Sequence, residues 1–521
     1  MTRDSLLESL CSKQDWDVIV IGGGATGLGT ALDACTRGYR TLLLECGDFG
    51  HSTSSRSTKL IHGGVRYLAQ GNLSLVREAL HERGVLLKNA PHLVHTREFI
   101  VPAFRWWERP YYGIGLTIYD WMAGAYGLGR TRILRRDAVT ERLPNLKRQG
   151  LRGGISYIDG QFDDARLAIT LLRSVQDQGG IVLNYVAVTD LRKRDGRIVG
   201  VIARDVETEQ EFEISGKAII NATGVYVDSI RSLDTPAIPP MVRPSQGTHL
   251  VLDRSFLGDS SALMIPKTDD GRVLFVIPWH ERILLGTTDT PITKAEFEPS
   301  PLADEVDYLL THAARFLERR PTHSDILSQF AGLRPLIAAG PAGRTSKLSR
   351  EHAVVVSESG LVTVTGGKWT TYRRMAQDTI DQAARVGGLP QRPSTTETLR
   401  LHGWEEEPAN SQDWLRVYGS DLPALRRLIS ENEEWGRPLH PRLPFLMGEI
   451  IWAARYEAAR TIGDVLARRL RALFLDSNAS LEAAPTVAKL LADELGYDSR
   501  WAERQVSEFQ EIAKGYLPGP L

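Results

Sequence analysis

A strand that runs into a glycine-rich turn near the start of the chain is the feature that most restricts the fold. The apolar run Val18 to Ile21 predicts a buried parallel strand, and Gly22-x-Gly24-x-x-Gly27 follows it directly. The first glycine permits a tight turn, the second lets the backbone approach a pyrophosphate, and the third allows close packing of helix on strand. A second apolar strand ends in Glu45, whose carboxylate can accept hydrogen bonds from an adenosine ribose. This order predicts a dinucleotide-binding unit; the alternative is a glycine-rich turn with no ligand.

Two later segments favour FAD over NAD, which shares the same fingerprint. The segment KAIINATGVYVDSI is an apolar strand that ends in Ala222-Thr223-Gly224. The segment LVTVTGGKWTTYRRMAQDTIDQAARVGG is a strand, a Gly366-Gly367 turn and an amphipathic helix whose N-terminus can point partial positive charge at a ligand. Each could be a simple tight turn, but together they indicate one long cofactor that runs through one domain.

Composition narrows the class of protein. The 521 residues are enough for roughly three domains. The net charge of -1, without a long block of like charge, predicts no nucleic-acid partner, so that any anion site must be local. The three cysteines lack metal-type spacing, which favours reduced thiols and no metal site. We expect no signal peptide at the N-terminus and no membrane span, since no run approaches ~18 uncharged apolar residues.

Short motifs in a consistent order then make a family resemblance specific. With the fingerprint, this chain resembles the FAD-dependent, quinone-linked glycerol-3-phosphate dehydrogenases, a family that also includes the alpha-glycerophosphate oxidases. The resemblance covers nearly the whole chain, including the tail ARTIGDVLARRLRALFLD. The motifs that carry it are TSSRSTKLIHGGVRYL, NATG, GTHLVL, FVIPW, LLGTTDT, FAGLRPL, SREH and TGGKWTTYR.

The resemblance and the apolar pattern together predict an α/β protein of three parts. A discontinuous Rossmann-like FAD-binding domain is expected from residues 15–95, 150–235 and 345–395. A sheet-containing substrate or cap domain is expected from 96–149 and 236–344, where runs such as RVLFVIPW and RILLGTTD alternate like strands. A helical C-terminal domain is expected from 396–521, in which Thr461-x-x-Asp464 predicts a capping box that opens a helix.

The predicted cofactor-binding residues come from four separate segments of the chain. The loop that begins at Thr53 supplies small hydroxyls and glycines that can pack against the pyrophosphate, the ribityl chain and the ring; a polar surface loop is the alternative. The full set is Gly22, Gly24, Gly27, Glu45, Thr53, Ser54, Ser55, Ser57, Gly63, Ala222, Thr223, Gly224, Gly367, Lys368 and Thr370.

The resemblance implies oxidation of sn-glycerol 3-phosphate to dihydroxyacetone phosphate, with hydride transfer to flavin N5. This reaction needs a base for the hydroxyl proton and cations for the phosphate, for which the planar fork of arginine is suited. The predicted catalytic residues are His62, Arg334, Lys368 and His249, and the predicted substrate-binding residues are Arg66, Tyr67, Arg334 and Arg350. Ordinary structural roles remain the alternative for the histidines, for Lys368 and for Arg350.

The family passes its electrons to a membrane quinone, and one segment suits a membrane surface. Residues 105–130, RWWERPYYGIGLTIYDWMAGAYGLGR, are rich in tryptophan and tyrosine and have arginine at both ends. An aromatic core segment is the alternative. We therefore expect a cytoplasmic protein, peripheral to the inner face of the cell membrane, and a homodimer is possible.

Three other functions remain open from the sequence. An oxidase would share the site but reduce O2, a related flavin-dependent amine or 2-hydroxy-acid oxidoreductase would bind a carboxylate instead of a phosphate, and a flavin scaffold would have no activity.

Overall fold

The computed structural model describes residues 3–10, 15–68, 71–258, 261–338, 352–406 and 414–518, apart from the side chains of Arg66 and Tyr67. The strands are β1 (Trp16–Ile21), β2 (Thr41–Leu44), β3 (Leu60–Ile61), β4 (Val94–Ala103), β5 (Arg132–Leu134), β6 (Gly153–Phe162), β7 (Ile181–Leu183), β8 (Val186–Arg194), β9 (Arg197–Asp205), β10 (Glu211–Asn221), β11 (Val242–Asp253), β12 (Ala262–Ile265), β13 (Leu274–Trp279), β14 (Arg282–Gly286), β15 (Thr290–Pro291), β16 (Ile326–Ile337), β17 (His352–Val356) and β18 (Val362–Gly366). The α-helices are α1 (Arg3–Leu10), α2 (Ala25–Thr36), α3 (Val65–Leu68), α4 (Leu73–Asn89), α5 (Glu108–Ala123), α6 (Arg136–Arg142), α7 (Asp164–Asp177), α8 (Val227–Asp234), α9 (Ala303–Phe316), α10 (Tyr372–Val386), α11 (Leu422–Ser430), α12 (Gly448–Tyr456), α13 (Ala472–Leu475), α14 (Ser477–Leu495) and α15 (Ser499–Lys514).

The first sheet has a parallel centre with helices packed on it. Its strand order is β17-β18-β10-β1-β2-β7, and β8 and β9 extend from β10 as an antiparallel pair. The apolar run of β1 is buried on both faces, because α2, α7 and α10 cover one face and the β8–β9 region covers the other. Strands β1, β10 and β18 run parallel, so their carboxyl ends meet at one edge, where open α/β sheets bind ligands.

The second sheet is mostly antiparallel and lies over that edge. Its order is β15-β11-β14-β13-β12-β4-β6-β3, with β16 paired to β11 and β5 paired to β6. The predicted strand runs RVLFVIPW and RILLGTTD form β13 and β14. The α/β class, the two sheets and the helical C-terminal region are as predicted.

One stretch belongs to a different sheet from the one that the predicted boundaries gave it. Residues 150–235 were assigned to the FAD-binding domain, but β6 pairs with β4 along its whole length, from Val94–Phe162 to Ala103–Gly153. Strand β6 therefore lies in the second sheet, together with β3. The local apolar pattern identifies a strand but not its partner, because pairing is set by distant parts of the chain.

The predicted capping box is present in the C-terminal region, but the helix that follows it is not a regular α-helix. The Asp464 carboxylate accepts the Thr461 N–H at 3.0 Å, and the Asp464 N–H donates to the Thr461 hydroxyl at 3.1 Å. Residues Asp464–Arg469 then form a π-helical turn, and Arg471, at φ 67°, ends it before the short helix α13. The predicted apolar positions Ile462, Val465, Leu466, Leu470 and Leu473 are all buried.

Buried ion pairs connect the C-terminal helices to α7 and to the loop after β2, both next to the first sheet. Arg166, on α7, donates to both carboxylate oxygens of Glu457 at 2.8 Å, and both side chains are almost completely buried. Arg468 and Arg469 both pair with Asp48, in the loop after β2. Removing one partner from such a pair leaves an uncompensated charge in the interior.

We expect Arg166→Met to lower the free energy of unfolding by about 3 to 5 kcal/mol, because the Glu457 carboxylate would remain buried without its cation. The matched control is Arg455→Met, which removes a more exposed pair with Glu494 and should cost less than about 1 kcal/mol. Urea unfolding of both variants measures the difference. Equal losses would show that the buried pair does not stabilise the contact between α7 and the C-terminal helices.

Candidate active site

A cavity of about 360 Å³ lies at the carboxyl edge of the first sheet. Most of its lining residues come from four chain segments that are distant in sequence: the turn after β1, the end of β2 with its following loop, the turn after β10 with the start of α8, and the turn after β18. Val188, Phe297 and Pro335 complete the lining. Among the predicted cofactor-binding residues, those that line it are Gly22, Gly24, Glu45, Thr53, Ser54, Ala222, Thr223, Gly224, Gly367 and Lys368.

The glycine-rich turn leaves space for a ligand beside the N-terminus of α2. Gly22 has φ +109°, and a Cβ atom there would lie 2.8 Å from the Ala222 carbonyl oxygen. Gly27 does not line the cavity; it packs under the turn, where a Cβ atom would lie 1.8 Å from the Gly22 oxygen. Gly24, the N-cap residue of α2, has no side chain, and Gly24, Ala25 and Thr26 line the cavity, so the positive end of this helix faces it. This arrangement fits a pyrophosphate.

Glu45 lies at one end of the cavity. Its two carboxylate oxygens accept the N–H groups of Gly23 at 2.6 Å and Gly47 at 2.8 Å. These bonds hold the carboxylate at the cavity wall, which is the position that the predicted ribose contact requires.

The loop from Thr53 and the turn after β18 meet each other at the other end. The Trp369 indole N–H donates to the Ser54 carbonyl at 2.8 Å, and the Ser54 hydroxyl accepts the Ala25 N–H at 2.9 Å. The Thr370 hydroxyl lies 3.3 Å from the backbone nitrogen and from the carbonyl oxygen of His62. The loop is therefore held against both glycine turns of the first sheet.

Four predicted cofactor-binding residues support the loop and do not line the cavity. Ser55 donates to the His51 carbonyl, and Ser57 donates to the Asp164 carboxylate at 2.7 Å. The Gly63 N–H donates to the Tyr119 hydroxyl at 2.7 Å, and Thr370 holds the His62 backbone. Direct contact of these four residues with a cofactor stays a prediction.

A buried lysine that the sequence analysis did not identify stabilises the same loop. The Lys59 ammonium donates to Asp164 at 2.7 Å and to the Ser55 carbonyl at 2.8 Å, and it lies near the rings of Trp279, Phe330 and Phe474. Burial, opposed by the attraction of Asp164, lowers the pKa of Lys59 to about 7. The only sequence signal was its position inside TSSRSTKLIHGG.

A second cavity of about 200 Å³ adjoins the first. It brings together His62 and Arg334 from the predicted site. The Arg334 guanidinium donates to the Thr287 hydroxyl at 3.0 Å and lies 3.3 Å from an Asp289 oxygen. Arg334 lines this cavity and the next residue, Pro335, lines the first, so the walls of the two cavities include neighbouring residues of β16.

The other predicted catalytic and substrate residues have different placements. His249 lies behind the cavity wall: its Nε2 is 2.9 Å from the Thr58 hydroxyl, and its ring stacks on Phe330. Burial, together with the positive charge of Lys59, holds the pKa of His249 well below its ordinary value, so the imidazole is neutral. Lys368 lines the cofactor cavity. The side chains of Arg66 and Tyr67 and the whole of Arg350 lie outside the described residues.

Polar residues that the sequence analysis did not single out also line the second cavity. Asp159 accepts the Arg83 guanidinium at 2.8 Å and the Tyr119 hydroxyl at 2.8 Å, and burial raises its pKa. Arg272 is held through its Nε by Asp270 at 2.8 Å. Asp289 lies in the motif LLGTTDT, which could have identified it, whereas Asp159 and Arg272 lie in no distinguishing sequence pattern.

Comparisons with known proteins agree with this geometry. A family model described as FAD dependent oxidoreductase matches residues 17–373, and one described as the C-terminal domain of alpha-glycerophosphate oxidase matches residues 359–502. Mitochondrial glycerol-3-phosphate dehydrogenase of Arabidopsis thaliana is 40% identical, over 99% of this chain and 88% of the relative. The human mitochondrial enzyme is 37% identical, over 99% of this chain and 75% of the relative.

Solved structures give the same result. The glycerol-3-phosphate dehydrogenase from Bacillus halodurans, complexed with FAD, superposes with a TM-score of 0.81 at 30% identity, over 99% of this chain and 97% of that chain. The L-alpha-glycerophosphate oxidase from Mycoplasma pneumoniae has a TM-score of 0.58 at 18% identity, over 74% of this chain and 98% of that chain, and shows a shared fold.

The fold and the cofactor cavity define an FAD-dependent oxidoreductase, and the matched family model has the same description. Within that class, the chain belongs to the FAD-dependent glycerol-3-phosphate dehydrogenase family. The N-terminus of α2 and the Glu45 carboxylate in the cavity wall fit this cofactor.

We expect Gly24→Val to abolish FAD retention, because a branched side chain would occupy the cavity space beside the N-terminus of α2. A Cβ atom at Gly24 would meet only the Ser54 hydroxyl, at 3.1 Å, so the fold should survive. The flavin-to-protein absorbance ratio after gel filtration measures retention. The matched control is Gly115→Ala, where a Cβ atom has open space. A Gly24→Val protein with a full complement of flavin would contradict the assignment of the turn.

Proposed function

We propose that this enzyme oxidises sn-glycerol 3-phosphate to dihydroxyacetone phosphate and passes the electrons to a membrane quinone. The observation that carries the proposal is that neighbouring residues of β16 line the two cavities: Arg334 lines the smaller cavity and Pro335 lines the cofactor cavity. A substrate phosphate bound at Arg334 therefore lies next to the cofactor. The relatives named glycerol-3-phosphate dehydrogenase support the choice of substrate.

Arg334 is well placed to bind the phosphate. Thr287, Asp289 and the Gln246 carbonyl accept hydrogen bonds from its guanidinium, so the planar fork is oriented before the substrate arrives. A guanidinium can make two parallel charge-assisted bonds to a phosphate, which an ammonium cannot. The partly buried position strengthens these bonds relative to water.

The substrate alcohol would then lie towards His62. His62 lines the same cavity, and the Thr370 hydroxyl fixes its backbone. We assign to His62 the acceptance of the hydroxyl proton, since an imidazole is suited to proton transfer near neutral pH. FAD, when bound, supplies the hydride acceptor. His62 and Arg334 together orient the carbinol carbon towards the neighbouring cavity.

Reduction of O2 is the second candidate for the fate of the electrons. It is favoured by the match of residues 359–502 to the C-terminal domain of alpha-glycerophosphate oxidase. The substrate half of the reaction would be unchanged.

One face of α5 supports a membrane partner. Trp107, Tyr111, Ile114, Ile118 and Trp121 are spaced three or four residues apart and are exposed, and Trp106 precedes them. Trp106 is 76% exposed and Trp121 is 83% exposed, values that are unusual for such large apolar side chains. The opposite face is buried through Leu116 and Tyr119. We infer that this face, the α5 aromatic face, lies in the headgroup region of a membrane on its cytoplasmic side.

No helix in the described part of the chain is long and apolar enough to cross a bilayer.

We expect Arg334→Ala to lower kcat/KM for glycerol 3-phosphate. The loss should correspond to about 3 to 5 kcal/mol of transition-state stabilisation, because part of a dianion loses its partner. Arg334→Lys should recover little, since it keeps the charge but not the fork. Anaerobic flavin bleaching measures both variants with glycerol 3-phosphate and with unphosphorylated glycerol.

Glycerol oxidation should hardly change in the Arg334 variants, because glycerol carries no phosphate. The control is Arg319→Ala, an exposed arginine paired with Asp325. If Arg334→Ala slows both substrates by the same factor, Arg334 acts on the cofactor or the fold and not on the phosphate.

Replacing Trp106, Trp107 and Trp121 together with Ser should release the protein from anionic liposomes. Quinone reduction in those liposomes should fall with binding, while reduction of a soluble dye stays within about twofold, since the cavities are unchanged. Leu302, Val356 and Tyr456, three exposed apolar residues elsewhere, changed together to Ser, are the control. Rapid turnover of the wild-type enzyme with O2, and none with quinone, would favour the oxidase. Equal losses of dye activity and of folding in the tryptophan variant would show that the tryptophans are structural.

A further inference from the structure

A short segment after β15 covers part of the cofactor cavity. Phe297 lines this cavity although its ring is 42% exposed. The ring centroid lies 4.3 Å from that of His51 and 6.1 Å from that of Tyr226, and both of these residues also line the cavity. Phe297 thus completes an aromatic wall to which the first sheet contributes two rings and the second sheet one.

Polar contacts on both sides hold Phe297 in place. The Tyr226 hydroxyl donates to the Glu296 carbonyl at 2.9 Å. The Glu298 carboxylate pairs with the buried Arg56 guanidinium and with His51 Nε2. Burial by itself would raise the pKa of Glu298, but the attraction of Arg56 and the bond from His51 lower it, so the carboxylate is ionised at neutral pH.

The position of Phe297 identifies the end of the cavity that it covers. A Cβ atom at Gly47 would lie 3.0 Å from Phe297 Cζ, and the Gly47 N–H donates to the Glu45 carboxylate. Glu45 marks the adenosine end of a Rossmann-type site. An aromatic ring at that end suits a flat purine and its ribose, which bury apolar area against it.

We propose that residues Glu296–Glu298 form a clasp that retains FAD: Phe297 packs against the adenosine half, and Glu298 anchors the clasp to Arg56 and His51. The inference rests on the FAD-dependent function above and assigns Phe297 as a further cofactor-binding residue. Because Glu298 is anchored to His51 and Arg56, in the loop after β2, release of FAD past Phe297 requires these contacts to break.

The clasp should affect retention of the cofactor. Phe297 lines the cofactor cavity close to Glu45 and does not line the second cavity. Loss of a packed aromatic ring should speed FAD release by about tenfold or more.

The test is the FAD dissociation rate of the purified holoenzyme, measured as the rise of free-flavin fluorescence after dilution. We expect faster release from Phe297→Ala, recovery of slow release in Phe297→Tyr, and no change in Tyr456→Ala. Tyr456 is the matched control because it is an aromatic residue of similar exposure, 43%, that does not line either cavity.

A second variant keeps the test decisive if Phe297→Ala folds poorly. Glu298→Gln leaves the ring and weakens its anchor, and it should also speed release. The clasp is overturned if Phe297→Ala and Glu298→Gln both release FAD at the wild-type rate, or if Tyr456→Ala releases it as fast as Phe297→Ala. The readout does not involve substrate, so wild-type protein that holds FAD but is not bleached by glycerol 3-phosphate would disprove the proposed function and leave the clasp standing.

Discussion

The Asp164 carboxylate is the interaction on which the active-site geometry depends. It is fully buried and accepts the Ser57 N–H and hydroxyl, the Lys59 ammonium and the Arg471 guanidinium. Lys59 and Arg471 also both donate to the Ser55 carbonyl. One carboxylate therefore joins α7, the loop that carries Ser54 and His62, and the C-terminal helices. A buried charge is tolerated only when it is fully paired, so these three parts have to fold together.

That loop is where the two cavities meet. Thr53 and Ser54 line the cofactor cavity, and Thr58 and His62 line the second cavity a few residues later. Arg334 and Pro335 repeat this arrangement on β16. A chain that lines both cavities with neighbouring residues holds a substrate at a set distance from its cofactor, which is the main requirement for transfer between them.

Helix α5 shows how far a local pattern can be interpreted. Its tryptophan and tyrosine content indicated either a membrane surface or a core segment, and the structure gives the helix one exposed aromatic face and one buried face. Tyr119 is buried and donates to Asp159, in the wall of the second cavity, while Trp121 is exposed. A helix separates its two faces by its periodicity, but which face meets a neighbour depends on the elements that pack against it.

The sequence by itself determined the dinucleotide-binding unit, the family and the α/β class, and ten of the fifteen cofactor-binding residues that it predicted line the cofactor cavity. These depend on short-range requirements, such as a glycine where the backbone must turn tightly at Gly22 and an acid at the end of β2. Only the tertiary structure decided that β6 pairs in the second sheet, that Ser57 supports the loop through Asp164, that His249 lies behind the cavity wall, and that Phe297 reaches the cofactor cavity. Each of these depends on contacts between residues far apart in the chain, and burial of a side chain or pairing of a strand is a property of both partners that no single segment encodes.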